Sequence, residues 1–168
     1  MGRGVTADAL TTQRNNESLT NRKYMSLVTD AIFVQALRTN ASLMSQLADG
    51  DVYNTTIALP DEDLDNAPLP YAIVTYDGME NDGTTKDFPY EGDSDRVTIS
   101  IEVAAETRPK LGELMEAIRT TIRNYFEDYH DGNSLIPEDY QLRAGAVQYD
   151  SLKPCYWQVL TYACDTNI

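Results

Sequence analysis

The segment Val97-Thr98-Ile99-Ser100-Ile101-Glu102-Val103 alternates strictly between apolar and polar side chains. A period of two residues is typical of a β-strand that buries one face and turns the other toward water or a partner. Downstream, apolar side chains recur instead at three- and four-residue steps, at Leu111, Leu114, Met115, Ile118, Ile122, Tyr125 and Phe126. This spacing predicts a helix from Pro109 to Tyr129 whose apolar stripe lies on the sheet, with Asp131-Gly132-Asn133 as its end.

The other elements are short apolar runs bounded by Gly, Pro, Asn or Asp, residues that favour turns. In chain order they are a helix over Leu27 to Leu37, a helical turn over Leu43 to Leu47, a weak strand over Val52 to Leu59, a proline-led strand from Pro68 to Gly78, and two strands over Tyr140 to Tyr149 and Cys155 to Cys164. Two prolines indicate that the Pro68 strand is an edge strand or that they precede its paired part. In the Tyr140 strand, Leu142, Ala144 and Ala146 should share one face.

These elements predict an α+β fold in the order α-β-β-β-α-β-β, with an antiparallel or mixed β-sheet packed by helices on one side. A chain of 168 residues suits a single domain with a sizeable core. Residues 1 to 23 contain mostly Arg, Asn, Thr, Gly and Gln, so we expect a flexible N-terminal arm (1–23) before a single α+β domain (24–168). No apolar run approaches the length of a spanning helix, and no membrane association is expected.

Candidate catalytic and metal-binding residues are few. The one histidine, His130, follows the predicted long helix and is expected to face solvent. Glu113 and Glu116 lie on the polar side of that helix, where exposed carboxylates make a poor acid and base pair. Cys155 and Cys164 are nine positions apart in one predicted strand, so they should point to opposite faces, about 30 Å from each other, as two buried free thiols. We therefore expect a non-enzymatic protein without catalytic residues, metal or cofactor.

Negative charge is concentrated in the middle of the chain. The formal net charge is −14, and residues 59 to 96 hold eleven acidic and two basic side chains. The acids form a first cluster of Asp61, Glu62, Asp63 and Asp65 and a second of Asp77, Glu80, Asp82, Asp87, Glu91, Asp93 and Asp95. The second cluster is predicted to be a loop too long for a simple hairpin. Solvated loops and an electrostatic or subunit-contact surface both fit these clusters, whereas the calcium-loop template fails.

Four sequence segments follow one another in a recognisable order: PLPYAIVTYDG (68–78), VTISIEV (97–103), LGELMEAIRTTIRNYF (111–126) and YWQVLTYACD (156–165). With the helical start and the long polar loop, this order over Leu27 to Cys164 resembles that of the tail-completion or tail-terminator proteins of long-tailed bacteriophages. The N-terminal arm and the acidic loop from Asp77 to Asp95 are longer than is usual for that family.

The resemblance implies a virion structural protein that oligomerises into a ring, hexameric in related tail terminators, which caps the tail tube and joins it to the head connector. It implies contacts with the tail tube protein and the head connector proteins, and DNA that passes without specific binding. The location would be the tail end or neck of the virion, after assembly in the host cytoplasm. Both acidic clusters then become candidate lumen or subunit-contact elements, because an acidic wall does not retain a polyanion.

Two other functions stay open at the level of sequence. An acidic inhibitor that mimics DNA would use the same charge, although mimics usually spread carboxylates along helices and strands rather than in two loops. A small ligand-binding or enzymatic α+β domain is the other alternative, and the absence of a catalytic constellation disfavours it. The sequence has no basic patch suited to nucleic acid.

Overall fold

The computed structural model describes residues 29–54, 67–81, 94–129, 137 and 139–167. The described elements are α1 (Thr29–Arg38), α2 (Ala41–Gln46), β1 (Tyr53–Asn54), β2 (Tyr71–Asn81), β3 (Ser94–Ala105), α3 (Arg108–Tyr129), β4 (Asp139–Ala144), β5 (Gln148–Asp150) and β6 (Cys155–Asn167). Several predictions concern residues outside the described ranges: the arm over 1–23, Leu27 and Val28, residues 55–59 of the weak strand, the cluster Asp61 to Asp65, His130, and the helix end at Asp131 to Asn133.

One mixed sheet organises the described chain, which confirms the α+β class. Its strand order is β1-β2-β3-β6-β4, and β5 also pairs with β6. The β1–β2 pair is parallel and all the others are antiparallel. Strand β6 pairs with three strands, because β3 lies along one of its edges while β4 and β5 follow each other along the other.

The alternating strand β3 and the apolar stripe of α3, which predicted the core, pack together as expected. On β3, Val97, Ile99, Ile101 and Val103 are all 0% exposed. Every apolar position of the helical stripe is buried in α3 except Tyr125, which is half-buried. Side chains from all three helices join these strand residues in one hydrophobic cluster, so the helices pack on one face of the sheet.

Aromatic packing and one polar link hold α1 and α2 to the rest of the core. The Phe33 ring lies edge-on to Phe126 and Tyr162, with centroid distances of 5.2 and 5.0 Å. Asn40 caps α2, because its side-chain oxygen accepts from the Leu43 N–H at 3.0 Å. The Asn40 amide also donates to the Thr121 hydroxyl at 2.9 Å, which ties this cap to α3.

Strand β2 does not end at Asp77-Gly78, as the sequence predicted, but continues to Asn81. The register shifts between Tyr76 and Gly78, so Asp77 has no residue opposite it on β3. Gly78 has a φ of 151°, an angle that residues with side chains rarely adopt, and this glycine allows a β-bulge that keeps the strand paired. The two prolines do precede the strand, which begins at Tyr71.

The predicted strand over Tyr140 to Tyr149 is two strands. Ala144 pairs with Leu160 and Gln148 pairs with Trp157, so three residues, 145–147, stand opposite two residues of β6. This extra residue interrupts the ladder at Gly145, whose N–H donates to the Val159 carbonyl at 2.9 Å. The shared face predicted for three side chains fails at the third, because Ala146 lies in the interruption.

Candidate interaction surface

The sheet face turned away from the helical core carries the most distinctive surface of the described chain. Because side chains alternate along each strand, the residues between the core positions share this side. We call it the open face, and its central members are Tyr71, Ile73, Thr75, Thr98, Ser100, Glu102, Trp157, Val159 and Thr161. None of these residues belongs to the hydrophobic cluster that the helices cover.

Apolar side chains occupy the end of the open face where β2 and β6 begin. Across β3, Ile73 and Val159 lie on either side of Glu102, and Tyr71 and Trp157 lie on either side of Ala104. Together with neighbouring residues they form a groove of about 510 Å³. Its lining consists of Tyr71, Ile73, Thr75, Ser100, Glu102, Asp150, Lys153, Cys155, Trp157 and Val159.

The charged groups of this groove already have partners within the chain. The Tyr71 hydroxyl donates to Glu102 Oε1 at 3.0 Å. Burial, followed by the negative charge of Glu102, raises the pKa of Tyr71, so the phenol stays protonated as the donor. Lys153 Nζ donates to the Ala67 carbonyl and lies 5.3 Å from the centre of the Tyr71 ring. An apolar group that enters the groove can therefore leave these hydrogen bonds in place.

Residues 151–154 form a tight turn between β5 and β6 beside this groove. Asp150 Oδ1 accepts from the Leu152 N–H at 2.9 Å and lies 3.4 Å from the Lys153 nitrogen, so one carboxylate holds the turn. The turn presents Leu152, which is 97% exposed. Two more apolar side chains on the same hairpin, Val147 and Tyr149, are 36% and 57% exposed.

The opposite end of the open face is charged. Arg96 on β3 pairs with Glu80 on β2 and with Asp165 on β6. Asp165 in turn stands opposite Asp139 on β4, and both acids are exposed. The Arg96 guanidinium donates to the side-chain oxygen of Gln141 at 2.7 Å, so it reaches across β6. The open face thus changes from apolar to charged along the strands.

Of the acids predicted to line a lumen or subunit contact, three lie among the described residues. Asp77 at the bulge and Glu80 are exposed, as that role requires. Asp95 was predicted in a loop, but it lies in β3 and is 6% exposed. The others lie outside the described ranges: Asp61, Glu62, Asp63, Asp65, Asp82, Asp87, Glu91 and Asp93.

Asp95 belongs to a buried polar group on the helix side of the sheet. Its Oδ1 accepts from the Asn81 amide at 2.6 Å. Asp30 of α1 is 5% exposed, and its Oδ2 accepts from the Asn54 amide at 3.2 Å. Burial is the main cause that raises the pKa of Tyr76, and the negative charges of Asp30 and Asp95 raise it further. Hydrogen bonding accounts for the burial of both carboxylates, so this group reads as structural.

The two cysteines are buried and free, as predicted, and they belong to opposite faces of β6. Cys164 lies in the core beneath the helices, where burial raises its pKa to about 12. Cys155 forms part of the groove wall, and burial raises the pKa of this thiol as well. Both side chains are therefore neutral thiols near neutral pH.

The remaining candidates from the sequence have ordinary surroundings. Glu113 and Glu116 are exposed on α3, where they lie 3.9 and 3.2 Å from Lys110 and Arg119. Within the described ranges, no group of three or more His, Cys, Asp or Glu residues is placed to hold a metal ion. No helix of the described chain is long and apolar enough to cross a membrane.

The groove was not predicted from the sequence, whereas residues Ser151 to Pro154 were predicted to connect the last two strands and do form the turn before β6. A signal for the groove exists in β6, where apolar residues occupy both alternating sets: Leu160 and Tyr162 on the core face, Trp157 and Val159 on the other. A strand with only one buried face would carry polar residues in the second set. Nothing in the sequence around Leu152 marks that leucine as exposed.

Comparison with protein-family models and with characterised proteins found no match for this chain. Function is therefore inferred from the open face, its groove and the turn that presents Leu152.

Proposed function

We propose that this chain is a non-enzymatic structural subunit that assembles with copies of itself into a ring at the end of a phage tail tube and joins the tube to the head connector. The order of described elements agrees with the order that carries the resemblance to tail terminators: helical start, proline-led strand, alternating strand, long helix and closing strands. Ring formation further requires a surface suited to another protein.

The open face is the observation on which the proposal rests. Exposed apolar side chains that are grouped beside a groove indicate an interaction site more often than scattered ones do. Here a half-buried tryptophan, Trp157, lies in the groove, and the adjacent turn holds Leu152 almost fully in solvent. Both features are explained if the surface is covered in an assembly.

The charge distribution supports passage of DNA through such a ring. The net charge of −14 opposes adhesion of a polyanion to the wall of a channel. Asp77 and Glu80 contribute exposed negative charge at the end of the sheet opposite the Leu152 turn. On this basis we assign the two acidic clusters, apart from the buried Asp95, to the lumen or to subunit contacts.

Electron microscopy with tail tubes tests the proposal. The purified chain is mixed with uncapped tubes of the phage that carries it, and we expect one ring at a single end of each tube. The matched control is Ile118→Asp, which places a charge in the core under α3 and should prevent binding by preventing folding. Tubes without terminal rings, in the presence of folded wild-type chain, would contradict the proposal.

Ligand binding is a second candidate that the groove specifically favours. Its volume of about 510 Å³ falls in the range of small-molecule sites, roughly 300 to 1,000 Å³. Trp157 is the only tryptophan of the chain, so its fluorescence reports occupancy directly. A library of small aromatic and aliphatic compounds that quenches Trp157 at micromolar concentration would favour this candidate over assembly.

A further inference from the structure

We propose that Leu152 of one copy inserts into the open-face groove of the next copy, so that every subunit donates one turn and accepts another. This contact rests on the proposed self-assembly and specifies which surfaces make it. A second copy of this chain is the occupant, because the chain itself carries both an exposed leucine and a groove with an apolar part formed by Ile73, Trp157 and Val159.

The donor side is an ordered projection. Leu152 is 97% exposed, although burial of a leucine is strongly favourable in water. The turn that carries it is fixed by Asp150, whose carboxylate accepts from the Leu152 N–H, and by Lys153, which is anchored to the Ala67 carbonyl. Little conformational freedom is lost when an already ordered turn binds.

The acceptor side offers apolar side chains whose polar neighbours hold hydrogen bonds within the chain. Ile73 is 9% exposed at its floor, and Trp157 and Val159 are half-buried beside it. Glu102 accepts from Tyr71, and Lys153 donates to a backbone carbonyl. A leucine side chain can therefore enter here without breaking the hydrogen bond from Tyr71 to Glu102 or that from Lys153 to Ala67.

The symmetry of this contact agrees with a ring. If one copy donates its turn to a second without receiving that copy's turn in return, the contact is heterologous, and a turn or a groove stays free on each copy for a further neighbour. Heterologous contacts generate closed rings when the rotation closes and filaments when it does not. A two-fold dimer would instead exchange both turns at once and leave no turn or groove free, so the mass of the assembly distinguishes it from a ring.

Substitution of Leu152 tests the donor side in the full chain. Because the side chain is exposed, Leu152→Ala and Leu152→Asp should leave the fold intact, which circular dichroism and thermal melting check. Leu152→Met is the matched control, since it keeps apolar size and adapts to a groove. Sedimentation should show association weakened at least about tenfold in the alanine variant, lost in the aspartate variant and kept in the methionine variant.

Trp157 gives a local reading of the acceptor side. On dilution of the wild-type chain, its emission should shift to longer wavelength as the groove loses its occupant and gains water. The Leu152→Asp variant should show the shifted emission at every concentration. If the emission of Trp157 is independent of both concentration and Leu152, another segment, another protein or a small molecule fills the groove, and the inference is overturned.

A cysteine pair fixes the two surfaces against each other. Leu152 lies in the turn before Cys155, the first residue of β6. Cys155 and Val159 are four strand residues, or roughly 13 Å, apart. Leu152→Cys and Val159→Cys are therefore too far apart to form a disulfide within one copy. Mild oxidation of the double variant should give a ladder beyond the dimer on a non-reducing gel. All three variants are made in a Cys155→Ala and Cys164→Ala background, because Cys155 lines the groove and would otherwise react with Leu152→Cys. Each single variant can then give dimers at most. A double variant that stops at the dimer excludes the ring, and one that does not cross-link excludes the contact.

The outcomes separate this inference from the proposed function. A wild-type chain that assembles and requires Leu152 supports both. A chain that assembles equally well with Leu152→Asp overturns the contact and leaves ring formation standing. A wild-type chain that remains monomeric at tens of micromolar overturns both, because no copy then donates its turn.

Discussion

Replacing Asp150 with alanine should loosen the turn that presents Leu152 without disturbing the core. The carboxylate accepts one well-placed hydrogen bond, from the Leu152 N–H at 2.9 Å, and one weak contact with the Lys153 nitrogen at 3.4 Å. A hydrogen bond to a charged group is worth about 1.5 to 3 kcal/mol, and partial solvent exposure of Asp150 lowers this figure. We expect the free energy of unfolding to fall by about 1 kcal/mol.

The effect on association follows from the mobility of the turn. Ordering a mobile segment on binding costs about 0.5 to 1.5 kcal/mol, so Asp150→Ala should associate roughly 2- to 10-fold more weakly than the wild type. Asp150→Asn keeps an oxygen acceptor and should lie close to the wild type in both measurements. Asp139→Ala is the charge-matched control, because it removes an exposed acid that faces Asp165 and lies far from the turn.

Urea denaturation and sedimentation equilibrium measure these two quantities on the same variants. The denaturant slope should be unchanged, since the buried surface is the same. If Asp150→Ala and Asp139→Ala behave alike in stability and in association, the carboxylate does not hold the turn and the reasoning fails.

Three further predictions concern the core. Ile118→Asp puts an unpaired charge at a position that is 0% exposed, at a cost of several kcal/mol against a total of about 5 to 15, so cooperative melting should disappear; an unchanged melt would contradict the packing of α3 on the sheet. Asn40→Ala removes a helix cap and the bond to Thr121 and should lower the free energy of unfolding by about 2 kcal/mol in denaturant, whereas Thr121→Ala should lower it by less because the cap remains. Burial raises the pKa of Cys164 to about 12, above an unfolded value near 9, so the contribution of this thiol to stability is complete below about pH 9 and is lost as the pH rises toward 12. Cys164→Ala should therefore flatten the fall in melting temperature over this alkaline range. An equal fall in both proteins would refute the raised pKa of Cys164.

The elements in which one spacing of apolar residues repeats several times were predictable from the sequence, because burial of one side imposes that spacing. The alternation from Val97 to Val103 and the helical stripe from Leu111 to Phe126 both identify side chains that are buried. In each element several residues with the same spacing indicate one buried face. The class of fold follows from these two patterns alone.

Irregularities in the strands were not predictable, because a single residue decides each one. Asp77-Gly78 reads as the end of a strand, yet the same glycine allows a bulge and the strand continues to Asn81. The interruption after Ala144 depends on the register of β6 against its neighbours, which no local pattern encodes. Asp95 was expected in a loop for the same reason, since its burial follows from the longer strands.

The candidate surface was missed because it depends on contacts between distant segments. The groove combines residues from β2, β3 and β6 with the turn before β6. The hydrogen bond from Lys153 to Ala67 joins residues that are 86 positions apart in the sequence. The exposure of Leu152 depends on how the hairpin of β5 and β6 projects from the sheet. Charge, by contrast, is a property of composition, so the acidic character was evident from the start.

Native mass spectrometry of the purified chain tests self-assembly most directly. We expect one closed species whose mass is an integral multiple of the 18.8 kDa chain, with six copies as the expected number, and a shift to the single-chain mass for Leu152→Asp. A wild-type chain that stays at the single-chain mass up to tens of micromolar would contradict the account.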